Sequence, residues 1–314
     1  MFGVSKSRAK YLFFSLVLIA MLQSGCVTTD VDSEKQIQAP LISQDLSSLN
    51  NSDGKIVESK PIDLHDEWAA NKEFYKIRYL SDGVEVVGFI VKPENNSSKY
   101  PVIIFNRGGN REFGKIARKS FQYLSYLSSF NFVVLASQYR GNDGGQGREE
   151  FGGKDVNDVL NLIKLATSLP FVEPTKIVML GFSRGGMMTY LAIKHGAEIK
   201  AAAVVGGVTD IGQNYHEREE GMKNVIRELV GTDKSEWEKR SAVYWPEKIN
   251  VPVLILHGED DWRVNVSQAK ELSEKLKKAG KVHKLVIYPN GDHGLTKHRA
   301  QSNNEIIGWF FKYL

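Results

Sequence analysis

The apolar run Ile177-Val178-Met179-Leu180 passes directly into Gly181-Phe182-Ser183-Arg184-Gly185 and on into Gly186-Met187-Met188-Thr189-Tyr190-Leu191-Ala192-Ile193. The first run predicts a buried strand, the glycines a sharp turn, and the second apolar stretch a helix. At such a joint a G-x-S-x-G serine is lifted above the end of a sheet, and the helix after it aims its amide groups and positive dipole end at it. Ser183 is therefore the candidate nucleophile, and the Arg184 N–H a candidate donor to an oxyanion. A glycine-rich turn carrying a plain surface serine is the alternative, and the acid and histidine motifs farther along the chain weaken it.

A serine hydroxyl needs a base, and the base needs an orienting acid. When the nucleophile sits on this kind of turn, the acid and then the histidine come later in the chain, each beyond a later strand. The strand Val253-Leu254-Ile255-Leu256 runs into His257-Gly258-Glu259-Asp260-Asp261-Trp262-Arg263-Val264. The strand Lys284-Leu285-Val286-Ile287-Tyr288 runs into Pro289-Asn290-Gly291-Asp292-His293-Gly294, and the glycines flanking the last turn single out His293 as the base. Asp260 and Asp261 are both candidates for the acid, and Asp210, after Ala201-Ala202-Ala203-Val204-Val205, is a third. His257 reads as a packing residue at a strand end; His65, His195, His216, His283 and His298 read as surface or packing residues.

The remaining chemistry falls on one loop. Strand Val102-Ile103-Ile104-Phe105 leads into Asn106-Arg107-Gly108-Gly109-Asn110, the position of the second oxyanion-hole element, with an amide near Gly108 or Gly109 as donor. The side chains of Arg107 and Arg184 are expected to line the pocket and favour a carboxylate-bearing substrate, with Asn106 and Tyr139 as further substrate contacts. The Arg140-to-Gly153 glycine run lacks a Gly-Lys-Ser/Thr ending and does not read as a phosphate loop.

Around these motifs the chain alternates. Glu73 to Tyr79 and Val84 to Val91 flank Ser81-Asp82-Gly83 as a hairpin. Strands at 102–105 and 132–137 then alternate with helices near 116–129 and 154–168, which predicts a mostly parallel sheet covered on both faces. Between 207 and 249 the rhythm breaks into two polar helices, His216 to Val230 and Lys234 to Tyr244, carrying Tyr215, Met222, Trp237, Tyr244 and Trp245; these predict a small helical lid.

Together, Tyr139-Arg140-Gly141, Gly144-Gly145, Gly147, the Gly181-to-Gly186 turn, His257-Gly258-x-x-Asp261-x-x-Val264 and Asp292-His293-Gly294 resemble the catalytic domain of the prolyl oligopeptidase (S9) family. The resemblance runs from about Gly88 to the C-terminus and implies an α/β-hydrolase fold with an eight-stranded-type sheet. It implies a serine hydrolase that uses no cofactor or metal, and it assigns the acid to Asp261, leaving Asp260 as a solvated neighbour. Two departures bear on the substrate. Fewer than fifty residues separate Cys26 from the first hydrophobic strand, too few for the family's β-propeller, and the 106–110 loop replaces a His-Gly-Gly-Pro or tyrosine-bearing loop. The expectation is therefore an acyl-enzyme hydrolase of short peptides or small esters, with a carboxylesterase of the dienelactone-hydrolase type as the alternative. A non-catalytic envelope binding module is the reading from a different class, and the intact set of Ser183, Asp261 and His293 argues against it.

The N-terminus reads as an export signal over residues 1–25. Lys6, Arg8 and Lys10 precede the apolar run Leu12 to Leu22, too short to span a bilayer, and Gln23-Ser24-Gly25-Cys26 resembles a bacterial lipobox. The resemblance implies lipidation at Cys26, a membrane partner through that anchor, and an outer-membrane location. Those three cations account for most of the formal charge of +4, and no basic patch interleaved with aromatics predicts a nucleic-acid partner. Cys26 is the only cysteine, so no internal disulfide is available. Residues 26–71 read as a flexible tether and 72–314 as the catalytic domain; the oligomeric state is not encoded in any motif.

Overall fold

The computed structural model describes residues 53–95 and 98–314; the expectations for the export signal, for Cys26 and for most of the tether lie outside these residues. One sheet of nine strands organises the rest, in the order β1-β2-β3-β5-β4-β6-β7-β8-β9. The strands are β1 (Ile56–Pro61), β2 (Lys72–Ser81), β3 (Val84–Pro93), β4 (Tyr100–Asn106), β5 (Val133–Ser137), β6 (Val172–Phe182), β7 (Ala201–Val205), β8 (Val253–Gly258) and β9 (His283–Tyr288). The first three pair antiparallel, β3 meets β5 antiparallel, and every pairing from β5 to β9 is parallel.

The β2–β3 hairpin closes over Asp82 (φ 51°) and Gly83 (φ 76°), two successive positive-φ residues that match the twist of the strands. β1 corrects the tether boundary. Ile56–Pro61 pairs with Tyr75–Tyr79 of β2, so the sheet starts well before the expected domain edge and has one strand more than the eight expected. The sequence concealed it because Ile56–Pro61 is a short edge strand with no buried residue, and Glu58, Ser59, Lys60 and Pro61 interrupt any apolar alternation.

Helices cover both faces. α1 (Arg118–Ser128) and α8 (Arg299–Tyr313) pack on one, where Phe121, Leu124, Ile306 and Phe310 meet Ile103, Phe105, Val178 and Leu180. α2 (Asp155–Ser168), α3 (Arg184–Lys194) and α7 (Val266–Lys278) cover the other, where Val159, Met187 and Leu272 meet Val102, Ile104, Met179 and Val204. Alternate residues of one strand thus feed two separate cores, the pattern of a sheet buried on both sides.

The 207–249 segment after β7 is helical, with three helices where two were expected: α4 (Ile211–Glu217), α5 (Glu220–Leu229) and α6 (Lys234–Arg240). Asp210 caps α4 by accepting from the Gln213 N–H at 3.1 Å, which is why that helix starts upstream of His216. Ile226 and Trp237 are buried under it and join the α2–α3–α7 core. Tyr215 packs on Trp237 with ring centroids 4.9 Å apart and the planes tilted by 34°.

Candidate active site

Ser183 stands between β6 and α3 with φ 55° and ψ −121°, a left-handed backbone that a residue with a Cβ adopts only under strain, at a cost of about 1–3 kcal/mol. Two neighbours hold it there. The Ser183 N–H donates to Val205 O at 2.9 Å, tying the turn to the end of β7. α3 presses so closely on β4 that a Cβ on Gly185 would lie 1.9 Å from Asn106 O, so only glycine fits two residues after the serine.

Asp261 and His293 meet at the ends of β8 and β9. His293 Nδ1 lies 2.8 Å from Asp261 Oδ2, and Asp261 Oδ1 accepts the backbone N–H groups of Arg263 (2.9 Å) and Val264 (3.0 Å). Burial of the carboxyl pushes its pKa up, but hydrogen bonds from His257 and His293, the adjacent His293 charge and the Val264 N–H outweigh it and hold Asp261 well below the usual carboxylate range. Gly206 packs between the elements: a Cβ there would lie 3.0 Å from His293 O and 3.2 Å from both Asp261 Oδ2 and His293 Nδ1. Since Val205 O holds Ser183 and Gly206 abuts the Asp261–His293 pair, the end of β7 brings all three residues to one edge of the sheet. Asp260 is exposed, with its N–H on Gly291 O, and Asp210 is occupied at its helix cap.

His257, a packing residue by its sequence context, has a larger part in the structure. Its ring is fully buried, with Nε2 2.8 Å from Val264 O and 3.2 Å from Asp261 Oδ2. A carbonyl only accepts, so Nε2 carries the proton, and the buried Nδ1 has no partner among the described residues. The i, i+4 spacing within the acid loop was the one available signal.

The expected substrate contacts at Asn106, Arg107 and Tyr139 are corrected. All three side chains are buried and spent on the scaffold. Arg107 donates to Gln138 O, Gly108 O, Phe113 O and Arg111 O, stitching the glycine loop to the end of β5. Tyr139 Oη donates to Arg107 O at 3.0 Å, and Asn106 Nδ2 to Thr189 Oγ1 at 2.9 Å. Arg184 likewise turns its guanidinium inward, pairing with Glu149 and Asp155 over the rings of Tyr139 and Phe151. Neither guanidinium is left free for a substrate carboxylate. What the loop offers is backbone: Gly108 lies so close to the turn that a Cβ on it would sit 3.1 Å from Ser183 Cβ, while the Asn110 N–H is consumed by Phe113 O.

A cavity of about 270 Å³ opens beside Ser183. The glycine loop contributes Asn110 and Phe113, α5 contributes Met222 and Val225, and the acid loop contributes Trp262, Arg263 and Val264. Phe113 and Trp262 stand exposed at its rim, with the Arg263 guanidinium over both rings (5.8 and 5.0 Å) and free of any salt bridge among the described residues. Asn214 and Arg218 from the lid both donate to Arg263 O, at 3.1 and 2.9 Å, fastening the lid to the acid loop. That Phe113, Met222, Val225, Trp262 and Arg263 share one wall is not legible in the sequence, because they come from three segments that only the fold brings together.

A serine at a strained strand–helix turn, a histidine fixed by a buried carboxylate and a glycine loop against the serine can together perform acyl transfer. Comparison with known proteins gives the same direction. The sequence model of the prolyl oligopeptidase family matches residues 118–314. An uncharacterized peptidase, YtmA of Bacillus subtilis, is 34% identical over 223 residues, covering 70% of this chain and 85% of that protein. YuxL, another uncharacterized peptidase of the same organism, is 28% identical over 91% of this chain but only 45% of its own length. The uncomplexed acylaminoacyl peptidase of Pyrococcus horikoshii superposes with a TM-score of 0.69 at 24% identity, over 78% of this chain and 42% of that one, a likeness of fold. The chain thus spans less than half the length of the last two.

Proposed function

The chain belongs to the prolyl oligopeptidase family of serine-type peptidases, and on that premise we propose that it hydrolyses short peptides through an acyl-enzyme on Ser183. Asp261 fixes His293 through Nδ1, which leaves Nε2 to take the Ser183 proton as Oγ attacks the carbonyl carbon. The Arg184 N–H, which opens α3 and has no carbonyl one turn back, and an amide of Gly108 or Gly109 hold the oxyanion. His293 then gives the proton to the departing amine, and water, activated by the same imidazole, releases the acyl group. The observation that carries the reading is the contact between His293 and a buried Asp261 at the sheet edge where Ser183 turns.

Substrate size follows from the cavity. Room of about 270 Å³ walled by Phe113, Met222, Val225, Trp262 and Val264 suits one apolar side chain next to the scissile bond, with Arg263 donating to substrate carbonyl oxygens. The same route serves small aryl esters. Labelling with a fluorophosphonate, lost in Ser183→Ala, tests the nucleophile and separates an enzyme from a binding module. Turnover of dipeptidyl and acyl-aminoacyl amides against p-nitrophenyl esters tests the substrate class; ester cleavage without amide cleavage removes the peptidase proposal.

Export is proposed on the basic and apolar pattern before Cys26. Fractionation of the chain with membranes, and its release by Cys26→Ser, tests it; an unmodified Cys26 in the mature protein counts against lipidation.

A further inference from the structure

A second cavity, also about 270 Å³, lies against the catalytic turn, and the acyl pocket makes no use of it. Phe182, immediately before Ser183, and Gly294, immediately after His293, both line it. Its floor is aromatic: Phe182 meets Phe105 at 5.8 Å and Tyr123 edge-on at 5.6 Å between ring centroids. The lid-side cavity adjoins the core beneath α2, α3 and α7, through Phe151 and Val208. This one adjoins the core beneath α1 and α8, through Phe105 and Val205. The two cavities therefore flank the serine turn on opposite faces of the sheet.

The polar groups of the second cavity have a chemistry of their own. Asn303 is 9% exposed, and its Oδ1 accepts the Tyr123 hydroxyl at 3.1 Å. That leaves the Asn303 Nδ2 donor at the wall without a partner among the described residues. Arg299, exposed at the rim, has no carboxylate partner among the described residues. An aromatic floor with an unpaired guanidinium and an amide donor suits a compact molecule with one apolar side chain and one carboxylate.

We propose that this cavity is the leaving-group subsite, and that it takes a single large apolar amino acid bearing a free α-carboxylate. The inference rests on Ser183 as nucleophile and adds what departs from it. In the acylation step the peptide C–N bond breaks, the Ser183 Oγ–carbon bond forms, and the hydroxyl proton passes through His293 to the departing nitrogen. The departing residue must then sit on the His293 side, beside Phe182 and Gly294, with its carboxylate toward Arg299 and Asn303. The enzyme so arranged removes the last residue of a short peptide.

The test reads binding first. In full-length Ser183→Ala protein, calorimetric titration with L-phenylalanine and L-phenylalaninamide should give at least about tenfold tighter binding of the carboxylate form, the scale of a charge-assisted contact. Arg299→Gln should abolish that preference and Arg299→Lys should retain part of it. Turnover should agree: a blocked dipeptide ending in phenylalanine should exceed its C-terminal amide in kcat/KM, and Arg299→Gln should bring the two together. Equal binding of the two forms, or a preference that survives Arg299→Gln, overturns the proposal. Because binding is read without the serine hydroxyl, it reports the subsite independently of the nucleophile, which fluorophosphonate labelling reports separately.

Discussion

Arg184 and Glu149 form an ion pair 2.5 Å long in which both side chains are sealed from solvent. The residue whose amide is proposed to hold the oxyanion is thus anchored by its own side chain, 35 residues back in sequence. Glu149 also receives the Arg111 N–H at 2.8 Å and Asn142 Nδ2 at 2.8 Å, so one carboxylate holds α3, the glycine loop and the 140–153 loop together.

Removing that carboxylate leaves the buried Arg184 guanidinium with Asp155 as its one remaining carboxylate and takes that acceptor from the Arg111 N–H and Asn142 Nδ2. Glu149→Ala should cost about 3–5 kcal/mol of stability, the scale of breaking a buried pair. Denaturant unfolding measures it, and a cost below about 1 kcal/mol, typical of exposed pairs, would show the pair to be well solvated.

Asp261 should be the acid in function as it is in contact. Asp261→Asn should lower kcat by about 10⁴-fold, as loss of the orienting carboxylate does in other triads. Asp260→Asn, at an exposed position, should change it little. Steady-state kinetics of the two variants decide; a larger effect at Asp260 would move the acid one residue.

The depressed pKa of Asp261 ties stability to acid. A carboxyl lowered in the folded state contributes stability above its unfolded value, about 3.9, and loses it as pH falls through the folded value. Below about pH 4 the wild type should therefore lose stability more steeply than Asp261→Asn. Denaturant midpoints of both proteins down to about pH 3 measure this, and parallel curves would contradict it.

His257 acts through Asp261. His257→Phe removes the proton shared between Val264 O and Asp261 Oδ2, and should lower kcat by about tenfold with KM little changed. The acid-stability curve should also flatten, because one hydrogen bond that lowers the Asp261 pKa is gone. A change in KM alone would make His257 a packing residue after all.

The lid should set the acyl side. Met222→Trp fills the first cavity from α5 and should raise KM for bulky acyl groups more than for small ones. Equal effects on both would separate α5 from substrate selection.

The parts legible in the sequence are those built from contiguous residues. The strand–turn–helix around Ser183, the hairpin through Asp82 and Gly83, and the two late loops with Asp261 and His293 each carry their geometry locally. What escapes depends on distant partners. Arg107 has the look of a substrate contact until Gln138 O, 31 residues away, accepts it, and Arg184 until Glu149 and Asp155 do. The pocket wall of Met222 and Val225 cannot be read from α5, whose apolar face also packs on the core. β1 is hidden because it is short, has no buried residue and lacks an apolar alternation.

Arg107 spreads one guanidinium over carbonyls at both ends of the glycine loop, and the loop's freedom is spent before any substrate arrives. Dipoles that are already aimed require no reorientation when charge develops on the carbonyl oxygen. The opposite wall is different in kind: α5 exposes much of its surface, and the lid reaches the acid loop mainly through Asn214 and Arg218. On the proposed acyl-enzyme route, adaptation to different acyl groups would thereby be confined to the side of the pocket where no charge has to be stabilised.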